Sequence, residues 1–424
     1  MTGGQSRPRQ TLTGSRAWLA KLIGDLRASY WFIPGLCLIA AHLVATLTLQ
    51  ADRAYPELVS ALPSAFSQTQ VEGARGLLTL MASSVIGVAG VMFSMTMVAV
   101  SFASGNFGPR LIGNFMRDRC TQWSLGILIG TFAYCLQILR AVHAGGDAEA
   151  FLPNLSLNAA LWLTLISMGV MIYFVHHVPE TINVSNIASA LGRRLEAGIR
   201  AEIDAGPPEP AAVTPTGAPD AQPCLRRSGY VQTLDADRLQ QLAESEDWHI
   251  LLRAEPGDFV TAEMPVLEVY VTARESALDE KDEAALIACF AVGDERTEDQ
   301  NPSFLVDQLV EMIARAMSSG VNDPFTACDC LNRLYAALDV ALIYKGGVHS
   351  VERGPMGQKQ LTFPALLKRS FGASLPYVKT DRMACEHAAS LVARLRPSAR
   401  NEGEAEALDQ LSRKLAGADP HSGQ

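Results

Sequence analysis

Four stretches of about 20 residues or more contain no Asp, Glu, Lys or Arg, and about 20 apolar residues in a helix cross a bilayer core. They run from Tyr30 to Leu49, Leu77 to Ala103, Thr121 to Leu139 and Leu155 to Val175. A backbone in lipid has no water to bond to, so each stretch must satisfy its amides internally as a helix. The pattern predicts a multi-pass α-helical membrane protein with four transmembrane helices and, behind them, a C-terminal cytoplasmic α+β domain.

An even number of spans places both termini on one side. Arg7, Arg9, Arg16, Lys21 and Arg27 precede the first span, and Arg110, Arg117 and Arg119 lie between the second and third. Arg193, Arg194 and Arg200 follow the fourth, whereas the other two loops mix Asp52, Arg53, Glu57, Glu72 and Arg75, then Asp147 and Glu149. Basic loops are retained inside, so both termini are expected to be cytoplasmic. A cleaved signal peptide is the competing reading of the first stretch. It fits badly, because the stretch exceeds a signal's apolar region and no small-x-small site follows Leu49. No Cys falls in either external loop, so no disulfide framework is expected.

Within the second span Ser83, Gly87, Gly90, Ser94, Met97, Ser101 and Gly105 recur every three or four residues, and Gly126 and Gly130 form a shorter version in the third. Small residues let helix backbones approach closely in lipid. The stripe is read either as packing within one chain or as a Ser-lined path or oligomer axis. No carboxylate or basic group lies near mid-span, where proton relays and ion-coupled transporters need one. His42 in the first span reads as a hydrogen-bonded neutral group; His176 and His177 read as interfacial anchors, with a pH-sensitive hinge as the alternative.

The front 200 residues carry a formal charge of +5 and the remainder −14, which argues against nucleic acid as a partner of the second half. The divisions are a basic N-terminal segment over 1–29, the membrane domain over 30–178, and a juxtamembrane amphipathic helix over 179–203. A Pro-rich disordered linker follows over 204–227, then a small β-rich subdomain over 228–292, a helical subdomain over 293–416 and a disordered tail over 417–424. The amphipathic helix, with Ile187, Leu191, Leu195 and Ile199 on one face, is expected to bind a partner helix or the membrane surface. Strands are expected at Ile250 to Leu252, Phe259-Val260, Val266 to Val271 and Leu286 to Val292.

Two polar clusters border the later helices. One holds Arg296, Thr297 and Gln300, the other Asn322, Asp323 and Thr326. Asp323 before Pro324 is a helix start, since an Asp side chain caps free amides and Pro suits the first turn. The functional alternative has both clusters converging on a pocket for an anion or small polar ligand, with helix N-terminal amides as donors.

Together with the four spans, certain segments resemble the bacterial membrane-protein family known as domain of unknown function 2254. They are Phe107 to Leu111 with Pro109-Arg110, Gly229-Tyr230-Val231, Pro256-Gly257-Asp258, Arg296-Thr297 with Gln300, and Asn322-Asp323-Pro324. The resemblance extends from about Tyr30 to Lys345, and Asn301 stands where the family pattern carries an Asp. It implies a fold and a location in the bacterial plasma (inner) membrane, and no activity.

No phosphate-binding glycine loop, dinucleotide fingerprint, zinc-protease helix, nucleophile elbow or kinase signature occurs. The chain is therefore expected to be no enzyme and to use no cofactor or metal. Its partners are expected to be the lipid bilayer and further copies of itself. The leading expectation is an oligomer that forms or regulates a passive solute or ion pathway. The alternative is a membrane-tethered cytoplasmic sensor or scaffold for a small polar ligand or protein partner.

Overall fold

The computed structural model describes residues 29–55, 70–107, 118–142, 151–206, 217–271, 278–298, 300–348, 356–357 and 361–417. The basic N-terminal segment, the Pro109-Arg110 motif with Arg117, the Asp147–Glu149 loop and the final tail lie outside these residues. The chain divides into two compact units, one from Leu26 to Ile187 and the other containing Ala188 to Gln424.

The first unit contains α1 (Phe32–Ala54), α2 (Val71–Phe107), α3 (Arg119–Ala141) and α4 (Asn154–Ile182), all long and apolar enough to span a membrane. Each outlasts its uncharged stretch by several residues at one end or both, because helix termini can carry polar groups that a bilayer core cannot. Helix α3 packs against the other three. It buries Tyr134, Cys135 and Ile138 with Leu78 and Met81 of α2, and Leu125 and Leu128 with Val85, Met92 and Phe174. Leu36, Leu43, Leu80, Val98, Trp162 and Ile172 remain on the outside, as lipid requires.

Several polar groups inside this bundle are paired. Thr131 and Ser167 share a 2.9 Å hydrogen bond, Tyr134 meets Thr48 at 2.9 Å, and Gln137 donates to Thr46 at 3.0 Å. Asp52, expected in an external loop, is the buried end of α1. It accepts from the Leu155 and Ser156 amides at 2.9 and 3.0 Å and from the Ser156 hydroxyl at 2.6 Å. It thereby caps α4, whose own N-cap Pro153 has no side chain to offer.

The two small-residue stripes differ in fate. A Cβ placed on Gly126 would stand 2.8 Å from Cys37 Sγ and 3.3 Å from Pro34 Cα, and one on Gly130 would stand 3.2 Å from the Cys37 carbonyl. There α1 and α3 touch through their backbones. On α2, by contrast, Ser83, Gly87, Gly90, Ser94 and Ser101 are exposed, and a Cβ on Gly87 or Gly90 meets nothing within 4 Å among the described residues. Packing of that stripe within one chain is thus corrected. The buried face of α2 is the ridge of Leu78, Ala82, Val85, Ala89, Met92, Ala99 and Ala103, whose larger side chains interdigitate with the neighbouring helices.

Asn183, in extended conformation, ends α4, and α5 (Val184–Asp204) follows at once, so the helix expected over 179–203 begins five residues later. Its apolar face does not await a partner. Ala188, Leu191, Leu195 and Ile199 are buried; the missing Cβ of Gly192 leaves room for the stem of Arg333, and that of Gly198 for Pro302. Arg200 lies over the Tyr344 ring at 4.7 Å and Lys345 pairs with Asp204 at 3.0 Å.

The expected linker over 204–227 is likewise corrected for its second half. Ala221 and Cys224 bridge to Val269 and Pro265, and Leu225 is buried, so residues 217–227 belong to the β-rich core. Here β1 (Gly229–Leu234) is followed by α6 (Ala236–Ser245), β2 (Trp248–Leu252), β3 (Phe259–Val260) and β4 (Leu267–Val271). Then come α7 (Glu280–Ile287) and β5 (Phe290–Gly293). Strands β3, β1 and β5 form one antiparallel sheet in that order, and β2 pairs with β4 in register Trp248 with Val271. Val231, Leu239, Trp248, Val260, Leu267, Leu286 and Phe290 fill the core. The strand expected from Leu286 starts only at Phe290, because Asp279 and Asp282 form a capping box that nucleates α7.

The helical part comprises α8 (Ser303–Ala316), α9 (Pro324–Ile343), α10 (Phe363–Leu367), α11 (Ala373–Val378), α12 (Arg382–Leu395) and α13 (Glu402–Ala416), with a π-turn at Lys368–Gly372 joining α10 to α11. Helix α8 buries Phe304, Leu305, Leu309, Met312, Ile313 and Ala316, the face its periodicity predicts. In α9 it is Cys330 that is fully buried, and Cys328 only partly.

Candidate functional site

The turn Glu255 to Asp258 leads into β3. Gly257 has φ of +98°, a conformation glycine adopts freely, and its amide donates to the Val231 carbonyl at 2.7 Å while the Val231 amide donates to Asp258 at 2.9 Å. A side chain there is excluded twice, since the Asn301 carboxamide occupies the space of a Cβ.

Against this turn stands Arg296, from the segment between β5 and α8. Its Nε donates to the Gly257 carbonyl at 2.8 Å, its Nη1 to Asp307 at 2.8 Å, and its guanidinium lies 5.8 Å from the Tyr230 ring centre. Asp307 also receives Arg369 in a two-pronged pair, Nε to Oδ1 at 2.8 Å and Nη2 to Oδ2 at 2.7 Å. That hydrogen-bonded carboxylate raises the pKa of Arg369 above its ordinary value. Two guanidinium groups thus share one carboxylate, and Asp258 lies close enough to act on Arg369 as well.

The other members of the first cluster are structural. Gln300, at φ of +55°, accepts from the Leu234 amide at 2.9 Å and donates to its carbonyl at 3.0 Å, imitating a neighbouring strand at the end of β1. Thr297 donates to the Gln232 carbonyl at 3.4 Å. Glu298 forms an ion pair with Arg194 of α5.

The second cluster lies at the opposite end of α8. The Asp323 amide donates to Ala316, the last residue of α8, at 2.7 Å. The Asp323 carboxylate accepts from the Thr326 amide at 3.1 Å and its hydroxyl at 2.6 Å, which makes it the N-cap of α9. Asn322 sits in the connecting turn at φ of +47°. The first cluster adjoins Ser303, and a helix of 14 residues is about 21 Å long, so α8 itself keeps the two apart. The expected convergence of Asn322, Asp323 and Thr326 with Arg296 and Gln300 on one pocket is corrected accordingly.

What the first cluster does adjoin is a cleft of about 1190 Å³. Arg194, Gly198 and Ala201 of α5 form one wall, Glu255 to Asp258 another, and Arg296, Asn301 and Ser303 a third; Ala365, Lys368 and Arg369 complete it. Sequence reasoning missed Asp307, Lys368 and Arg369. Nothing local marks them, since Arg369 reaches Asp307 across 62 positions. Chemically the cleft offers guanidinium and ammonium donors beside carboxylate acceptors, a set suited to recognising a charged polar molecule.

A family model described as predicted membrane protein (DUF2254) matches residues 27–394. Uncharacterized proteins Mb1321c of Mycobacterium bovis and Rv1290c of Mycobacterium tuberculosis are each 31% identical to the chain over 304 residues, 69% of this chain and 56% of theirs. The chain thus spans about half the length of the curated relatives it matches. No solved structure matches it.

Proposed function

The chain belongs to the DUF2254 family of predicted membrane proteins, and on that premise we propose that its four spans anchor a sensor unit that binds a small polar ligand in the cleft beside α5. The observation that carries this reading is the pair of arginines sharing Asp307 at the cleft wall. Two guanidinium groups on a single carboxylate keep hydrogen-bonding capacity for a further acceptor. The reading places the unit in the cytoplasm, both termini inside the bacterial plasma membrane, and assigns it no catalysis. Native mass spectrometry of the detergent-solubilised full chain tests it. A co-purifying small molecule present in the parent and absent from Arg296→Ala supports the cleft; identical spectra from the two argue against it.

A second reading, an oligomer that forms or regulates a passive solute or ion pathway, draws on the outward Ser and Gly face of α2, where a Cβ on Gly87 or Gly90 would meet nothing within 4 Å among the described residues. A second copy would find there the close backbone approach that α1 and α3 already use. Disulfide trapping at Gly90→Cys in membranes, followed by flux measurements in liposomes, separates this reading from the first.

A further inference from the structure

Of the seven large apolar side chains left exposed among the described residues of the unit containing Ala188 to Gln424, four lie at one end of the helical part: Val321, Phe325, Tyr377 and Met383. Phe325, at 75%, is the most exposed of the seven. Val321 is in the turn between α8 and α9 and Phe325 is the second residue of α9, while Tyr377 and Met383 flank the turn between α11 and α12. His387 of α12 meets Asn332 of α9 at 2.8 Å. Arg400, beyond α12, donates to the carbonyl of Val348, whose amide donates to Ala341 near the end of α9. Helices α9 and α12 therefore run in one direction and start at the same end. Cys385 of α12 lies 3.8 Å from the Leu415 carbonyl, so α13 finishes there too.

The same end holds the start of α5. Gly192 adjoins the stem of Arg333, and Arg200 lies over Tyr344, so α5 runs parallel with α9. Counting back four residues from each partner sets Ala188 level with Asp329, one helical turn from Phe325. Helix α5 follows the membrane-spanning α4 after Asn183 alone, and the chain from Val175 to Ala188 covers only about 20 Å as helix. Chain length thus keeps this end of the unit within reach of the bilayer surface.

We propose that this end is a lipid-docking surface, with Phe325 and Val321 entering the headgroup region of the bilayer that holds the four spans, Tyr377 and Met383 at the rim, and Lys379 and Lys414 on anionic phosphates. Acids nearby are engaged within the unit. Asp323 caps α9, Asp381 caps α12 through the Ala384 amide at 2.9 Å, and Glu386 pairs with Arg382 at 2.7 Å. Lys379, in the turn before α12, and Lys414, in the last turn of α13, form no ion pair among the described residues. Aromatic and aliphatic side chains beside lysines suit the boundary between headgroups and acyl chains. Lipid is favoured over a protein partner because the tether through α4 makes the encounter intramolecular, so a few side chains suffice. The cleft lies at the other end of α8, and this surface is independent of it.

Fluorescence of the full chain in nanodiscs tests this, with a bimane label on Phe325→Cys or, as the control, on Ile343→Cys at the far end of α9, each in a cysteine-free background. Both side chains are exposed, so each labelled variant is expected to melt like the cysteine-free parent. The discs contain phosphatidylcholine and phosphatidylglycerol, with or without bromine near the top of the acyl chains. Bromine is expected to quench the label at position 325 and to spare the one at 343. Lys379→Glu combined with Lys414→Glu is expected to restore emission at 325. Equal quenching at both positions, or none at 325, overturns the proposal. A blue-shifted label at 325 that bromine does not quench is covered by protein, a second copy or another chain, and overturns it as well. Quenching at 325 that ignores the lysine reversal overturns the headgroup pairing and leaves the apolar contact standing.

Discussion

Asp323 and Asp307 are each a single carboxylate holding two or more donors, and they differ in what their loss leaves behind. Asp323→Ala frees the first amides of α9 into water and should cost about 0.5 to 2 kcal/mol, whereas Asp323→Asn keeps a capping oxygen and should cost less, as thermal melts of the two variants would show. Asp307→Ala instead strands Arg296 and Arg369 side by side without their acceptor. A loss of about 1 to 3 kcal/mol is expected in denaturant titration, with Asp307→Asn recovering only part of it. A third carboxylate, Glu268, is held below the usual carboxylate range by its hydrogen bond from Arg253 at 2.6 Å. A lowered pKa contributes stability that is present above the ordinary value and is lost as pH falls through the lowered one. Glu268→Gln should therefore flatten the acid limb of the stability profile below about pH 4.5, while the parent steepens there. The Asp323 cap is legible from Asn322-Asp323-Pro324 because capping acts within three residues. The pairing of Arg296 with Arg369 is not, because it depends on how the π-turn meets α8.

At the scale of the helix, glycine has two meanings in this chain. Gly126→Leu drives a side chain into Cys37 and the Pro34 backbone, and overpacking of that kind should cost about 1 to 3 kcal/mol in the stability of the detergent-solubilised chain. Gly90→Leu meets open space among the described residues and should leave that stability unchanged, so any loss of higher-order assembly from it, with Val91→Leu as the control, reports a contact between copies. Spacing alone could not separate the two stripes, since both present small residues at helical intervals. The larger side chains on the other face of α2 decided which way it turned. The same competition moved α5, whose apolar stripe was legible but whose partner proved to be the unit that follows it in the chain.

For the whole molecule, the distribution of Lys and Arg predicts which ends of the spans face outward. In a cysteine-free background, Tyr55→Cys should react with an impermeant thiol reagent in intact cells and Glu180→Cys should not; the reverse pattern would invert the orientation. Length and hydropathy by themselves determined the four spans, the helical faces of α8 and α5, and the strands β2 to β4, because burial periodicity and bilayer thickness act on neighbours along the chain. They could not determine that residues 217–227 join a sheet core, that Asp52 caps a helix starting about 100 positions away, or that α8 stands between the two polar clusters. Those outcomes rest on contacts between segments far apart in sequence. The cleft is the clearest case: Asn301, Arg296 and Arg369 come to line one space only when a turn, a helix start and a π-turn pack together, and no local pattern encodes that meeting.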